Sequence, residues 1–260
     1  MWNFHLVFIL LSISTVLAEK HQCFVPVPYK CVIFANATRE NYQIEPQAVN
    51  SSDITNLDLN GTLPILGPEI CENLPNLRII FASYLGVEEI AENTFKSCKN
   101  LYRIDLDWNN ITKLSENAFT GLENLEKLYI SGGNLQELKL NLSSLINLEQ
   151  LGLRNLNLTE IDPEIFKNLK NLKELYLYAN RLFDLDLEKI LNYLPNLKKI
   201  NIVDNNFKCD RVKKLVELCE KYRIELKTDV TVIRTRHYIP EMIEGVHCLT
   251  DDQFNYEKSH

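Results

Sequence analysis

Apolar residues return every two dozen positions through most of this chain, and that period constrains its fold more than any other feature. The stretch "LYRIDLDWNNITKLSENAFTGLEN" (101–124) sets the unit, with Leu101, Ile104, Leu106, Asn109, Ile111, Leu114, Phe119 and Leu122 at its marked positions. Units of this kind begin at Ile54, Leu77, Leu101, Leu125, Leu148, Leu172 and Leu197, spaced by 23, 24, 24, 23, 24 and 25 residues. The L-x-x-L-x-L core alternates as a strand does, which excludes an amphipathic helical protein, and recurrence at a fixed long period marks a solenoid. Stacked units align their short strands into a parallel sheet on the concave side, with short helices and loops on the convex side, an α/β class. A single turn buries too little apolar surface to offset the ordering of two dozen residues, so turns hold only when stacked. "IDPEIFKNL" shows the convex half: Asp162 caps, Pro163 suits a first helical position, and Ile165, Phe166 and Leu169 point inward.

One asparagine per unit is expected to bond the backbone of neighbouring turns. It stands at Asn109, Asn180 and Asn205, whereas Leu85, Gly133 and Leu156 replace it, and the ladder of such bonds is expected to break at those three turns. The ends need separate covers. "MWNFHLVFILLSISTVLAEK" joins an apolar run, Leu6 to Leu17, to a small-residue pattern at Val16 and Ala18. That is a secretory leader cleaved after Ala18, too short to span a bilayer. The expected organisation is therefore a leader (1–18), an N-terminal cap (19–53), about seven repeats (54–208), a C-terminal cap (209–248) and a polar tail (249–260). No lipid-anchor pattern follows, so a secreted, extracellular protein without membrane insertion is expected.

Seven cysteines cluster toward those ends. Cys23 and Cys31 flank "FVPVPYK", and Cys209, Cys219 and Cys248 follow the last repeat. The helix expected in "DRVKKLVELCEKY" puts Val212, Leu215, Val216, Cys219 and Tyr222 on one apolar stripe. A buried Cys219 thiol leaves Cys209–Cys248 as the C-terminal bridge, with Cys23–Cys31 at the other end. Cys71 and Cys98 hold convex core positions and either pair across turns or fill space as small hydrophobes. An odd count leaves open a disulfide-linked dimer, and a non-covalent one is equally open. No His stands at ligand spacing from a Cys pair, so no metal site is expected.

The cap "CFVPVPYKCVIFANATRENYQIEP", the repeats and "NNFKCDRVKKLVELCEKYRI...GVHC" together resemble insect secreted leucine-rich repeat proteins, nearest to the short leucine-rich immune proteins of dipterans. The resemblance implies an extracellular recognition protein of innate immunity that binds a protein or microbial-surface ligand. The reading set against it is a matrix or adhesion protein that organises partners without sensing. No G-x-S-x-G, H-E-x-x-H, Walker or Rossmann pattern occurs, and the five histidines stand near the chain ends, so neither an enzyme nor a cofactor is expected. A formal charge of −7 without a Lys/Arg stripe argues against nucleic acid.

Binding is expected on the concave sheet. Between the two strand leucines of successive turns stand Asp58, Phe81, Asp105, Tyr129, Gly152, Tyr176 and Asn201. Two places on come Asn60, Ser83, Asp107, Ser131, Arg154, Tyr178 and Val203, and alternation turns both rows outward. Tyr129 and Tyr176 should stand about 10 Å apart across Gly152, walling a slot with Arg154 and Tyr178 beside it and Asp105 and Asp107 near. Phe81 completes the expected ligand-binding set. Six N-x-[ST] sequons, at Asn36, Asn50, Asn60, Asn110, Asn141 and Asn157, predict N-glycans, with Asn110 and Asn157 on one lateral flank.

Overall fold

A computed structural model describes residues 53–135, 137–228 and 240–259, and ahead of them the backbone of strands Lys20–Gln22, Phe24–Val27, Lys30–Asn36 and Gln43–Glu45. The leader, the Cys23–Cys31 pairing, Asn50 and the side chain of Asn36 lie outside the described residues. The repeats coil into a solenoid whose inner wall is one 10-stranded sheet. Strands Asn56–Thr62, Ile79–Phe81, Arg103–Leu106, Lys127–Ser131, Gln150–Arg154, Glu174–Tyr176 and Lys199–Asn201 follow one another in it, all parallel. Lys30–Asn36 extends the sheet at one end and Glu225–Leu226 at the other.

The seven leading residues of the units, Ile54 through Leu197, are all buried, as are Phe95, Phe119 and Phe166 of the convex half. Phe95 and Phe119 stack across neighbouring turns at 5.5 Å. Asp162 accepts a hydrogen bond from Glu164 N ahead of the 3-10 helix Pro163–Phe166, as its cap position requires. Each turn leaves the sheet through one residue of left-handed backbone: Gly61, Tyr84, Trp108, Gly132, Asn155, Ala179 and Asp204, with φ between 51° and 103°.

The expected breaks in the asparagine ladder do not occur at Leu85 and Leu156. Asn109 Oδ1 accepts from Leu85 N and Val87 N, one turn back, at 3.0 and 3.1 Å. Asn180 likewise accepts from Leu156 N and Leu158 N at 3.0 and 3.3 Å. Each asparagine serves the preceding turn, so a turn without its own is still held. At Gly133 the backbone itself closes the gap. Ile111 pairs with Gly133, Ile111 N donates to Gly132 O at 3.0 Å, and Asn134 N donates to Ile111 O at 2.9 Å. A Cβ on Gly132 or Gly133 would stand 2.2 or 2.1 Å from a carbonyl oxygen of the preceding turn, so only glycine permits this approach.

Two disulfides are described. Cys71–Cys98 joins neighbouring turns on the convex side, resolving the two sequence alternatives in favour of a bridge, and Cys209–Cys248 closes the C-terminal end. Helix Cys209–Tyr222 covers the last turn with Val212, Leu215, Leu218 and Cys219, and Cys219 keeps a free, buried thiol. Tyr222, expected on that apolar stripe, is instead exposed, and Leu218 takes the burial. The tail is not plain coil: Asp251–Ser259 forms a helix that returns to the last turns, with Phe254 edge-on to Phe183 at 5.4 Å and Lys208 Nζ 2.7 Å from Asp251. Among the described residues no helix is long and apolar enough to cross a membrane.

Candidate ligand-binding face

The inner row of the sheet is in strict register. Asp58, Phe81, Asp105, Tyr129, Gly152, Tyr176 and Asn201 are successive partners across six strand pairs. Equal turn lengths bring this about, because a constant period returns the same residue to the same height on the wall. Over the middle turns this row and its neighbours enclose an open cleft of about 530 Å³. Asp105, Asp107, Tyr129, Arg154, Tyr176 and Tyr178 line it.

Two expected members keep their register but do not line the cleft. The slot over Gly152 is filled: a Cβ there would lie 2.9 Å from Tyr129 Cδ1, so the tyrosine ring leans onto the glycine and buries it. The vacancy therefore seats Tyr129 and does not admit a ligand between two upright rings. Phe81 keeps its register place but lies beneath the Arg103 guanidinium, 5.2 Å from the ring centre, outside the cleft lining. Val203, expected to face outward, is buried at the C-terminal end, while Asn201 lines the cleft with its Oδ1 accepting from Val203 N.

Cations and rings interleave across the cleft. The Arg154 guanidinium lies 5.9 Å from the centre of the Tyr129 ring and 5.6 Å from that of Tyr178, within cation–π reach of both. It also pairs with Asp107, two turns away. Arg103 spans Phe81 and Tyr129 and bonds Asp105 at 3.2 Å, while Ser83 Oγ donates to the other Asp105 oxygen at 2.8 Å. Tyr129 donates its hydroxyl hydrogen to Gln150 and Tyr176 donates to Glu174. Lys199 pairs with Glu174 at 3.3 Å and Lys227 with Glu225 at 2.8 Å. Burial pushes the Asp107 carboxyl above its ordinary value, against the pull of Arg154. Burial and the Glu174 carboxylate both raise the Tyr176 hydroxyl. Every cation of the cleft thus has its own acid, and the rings are held by polar bonds at their hydroxyl ends. The result is a stiff, charge-balanced aromatic floor.

Sequence reasoning missed Arg103, Lys199 and Lys227. Arg103 and Lys199 occupy a third outward place, one residue ahead of the first strand leucine, in register with Lys127, Gln150 and Glu174. The same strand alternation reaches this third place in each turn. Lys227 had no such signal, because it follows the non-repeat strand Glu225–Leu226.

Of the sequons with described side chains, Asn110 is exposed, while Asn60, Asn141 and Asn157 are half-buried. Asn157 Nδ2 donates to Asn134 Oδ1 at 3.4 Å along the lateral flank, and Asn141 Oδ1 accepts from Ser143 N and Oγ.

A family model described as a BspA type leucine rich repeat region matches residues 29–142 and 90–211, in six copies altogether. No curated protein matches by sequence. Solved structures of similar shape include the LRIM1/APL1C complex of mosquito immune proteins, at 20% identity and TM-score 0.65, covering 74% of this chain and 36% of that one. The APL1 leucine-rich repeat domain matches at 21% identity and TM-score 0.63, covering 73% and 49%. Human 5T4 (Wnt-activated inhibitory factor 1, trophoblast glycoprotein) matches at 18% identity and TM-score 0.54, covering 76% and 75%. This chain spans about a third and about half of the first two. At such identities the likeness is one of fold.

Proposed function

The chain belongs to the BspA type leucine-rich repeat family, and from that premise we propose that it is a secreted recognition protein of insect innate immunity. Its ligand is a protein or a microbial surface, bound on the concave face at the cleft floored by Tyr129, Arg154, Tyr176 and Tyr178. The observation that carries the reading is this charge-balanced aromatic floor, since tyrosine and arginine held rigid at the centre of a concavity are what interface anchors are made of. The fold likeness to LRIM1/APL1C supports the immune setting, and the dipteran resemblance of both caps agrees with it. The cap and repeat boundaries, cleavage after Ala18, the Cys23–Cys31 bridge and the glycans are part of the same proposal. Binding without chemistry fits the cleft, whose acids and bases are paired with one another.

Crosslinking in insect body fluid identifies the ligand, and titration then tests the face. Tyr129→Ala and Tyr176→Ala should each weaken binding by about 1–4 kcal/mol while the fold survives. Full affinity in the double variant at unchanged thermal stability would place the ligand elsewhere. Abundance that rises on infection supports the immune reading, and constitutive retention in tissue matrix supports the adhesion reading instead.

A further inference from the structure

Among the described residues, the most exposed aromatic ones are not in the cleft. Tyr84 is 71% exposed and Trp108 54%, on neighbouring turns of the lateral flank, and their rings stack at 6.0 Å with planes 10° apart. Both occupy the left-handed position by which each turn leaves the sheet, with φ of 61° and 57°. In the other turns that position holds Gly61, Gly132, Asn155, Ala179 and Asp204, so small or turn-forming residues close the turn equally well. Bulky side chains rarely adopt this backbone, and an exposed ring recovers little by burial. Folding therefore does not account for two large aromatics here.

What surrounds them points to an occupant. Burial alternates from residue 107 to 111: Asp107, Asn109 and Ile111 are buried, while Trp108 and Asn110 are exposed. Trp108 and Asn110 are thus both exposed two residues apart, and Asn110 begins the sequon Asn110-Ile111-Thr112, whose threonine is also exposed. One turn back, the places of Trp108 and Asn110 are taken by Tyr84 and Gly86. Gly86 has nothing within 4 Å of where a Cβ would be. One turn forward, the place of Trp108 is taken by Gly132, where no side chain fits. The stacked pair thus has open space beside it at Gly86, next to an asparagine fit to carry a glycan.

We propose that the Tyr84–Trp108 stack seats the N-glycan of Asn110, whose first sugar lies over the Gly86 shelf against the two rings. An N-linked sugar presents a face of C–H bonds that rests on an aromatic face as an apolar side chain would. The seat turns a flexible glycan into part of the flank and covers the two rings. It rests on the glycosylation reading given above, but not on the cleft.

The test uses the full chain secreted from insect cells, with glycopeptide mass spectrometry for occupancy. The chain has two tryptophans, and cleavage after Ala18 removes Trp2, so Trp108 is the sole tryptophan reporter of the secreted protein. Thr112→Ala removes the sequon, and Thr112→Ser keeps it. Asn110 should be occupied, and Thr112→Ala should red-shift the Trp108 emission and lower the melting temperature by about 2–4 °C. Thr112→Ser should do neither. In a Tyr84→Ala/Trp108→Ala background, Thr112→Ala should lower the melting temperature by less than half as much. An empty Asn110 overturns the proposal, as does an equal loss in both backgrounds or an unshifted emission. Ligand binding at Tyr129 and Tyr176 should be unchanged by Thr112→Ala, so failure here leaves the cleft reading standing.

Discussion

Asn109→Ala should damage the turn before the substitution more than the turn after it. Asn109 is 3% exposed, and its Oδ1 accepts from Leu85 N at 3.0 Å and Val87 N at 3.1 Å. Its Nδ2 donates to Ala82 O at 2.8 Å and to Leu106 O at 2.9 Å. Alanine leaves two buried N–H donors without partners, each costing about 1–3 kcal/mol, and weakens the satisfaction of two carbonyls. The expected loss is therefore about 3–6 kcal/mol, a large share of a domain stability of about 5–15 kcal/mol. Urea unfolding measures the total, and hydrogen exchange locates it. Protection should fall at the Leu85 and Val87 amides, while Ile111 N, which bonds Gly132 O through backbone alone, should keep its own. Asn134→Ala, an exposed asparagine on the same flank, serves as control and should stay within about 0.5 kcal/mol. A loss under about 1 kcal/mol for Asn109→Ala, or deprotection centred on the following turn, would refute the backward reach of the ladder.

The ion pair in the cleft has a pH signature. Burial raises the folded-state value of Asp107 above its ordinary 3.8, so its stability contribution is full below that value and is lost as pH rises through the raised one. Wild-type stability minus that of Asp107→Asn should therefore decline between acid and neutral pH; a difference that grows would mean that Arg154 outweighs burial. Burial also pushes the Cys219 thiol up to about 11, so it should resist alkylation in the native protein at neutral pH and react only on unfolding, and prompt native labelling would contradict the structure. Non-reducing peptide maps should show Cys71–Cys98 and Cys209–Cys248, and reducing either should cost about 2–4 kcal/mol.

Much of the solenoid was legible from residue spacing. Seven apolar registers drifting by no more than a residue specify which side chains enter the core. The same constancy specifies that Asp58, Phe81, Asp105, Tyr129, Gly152, Tyr176 and Asn201 form one line on the wall. Backbone register needs only the period, and the period is written in the chain. Burial of Cys219 and the cap at Asp162 were legible for a related reason, because both depend on helical spacing within a few residues.

What spacing cannot carry is where a side chain leans once its neighbours from other turns arrive. Gly152 reads as a gap, but Tyr129 lies one strand away and settles into it. Arg154 finds Asp107 at a separation of 47 residues, and Asn109 serves a leucine 24 residues back. Lys227 enters the cleft from just after a strand outside the repeats, and the tail helix returns to Phe183 from beyond the cap. The sequence alone determined the solenoid and the order of residues along its wall, because these follow from a local period. The tertiary structure decided which of those residues share a cleft, which cover one another and which stay bare, because those outcomes depend on contacts between turns that no single repeat contains.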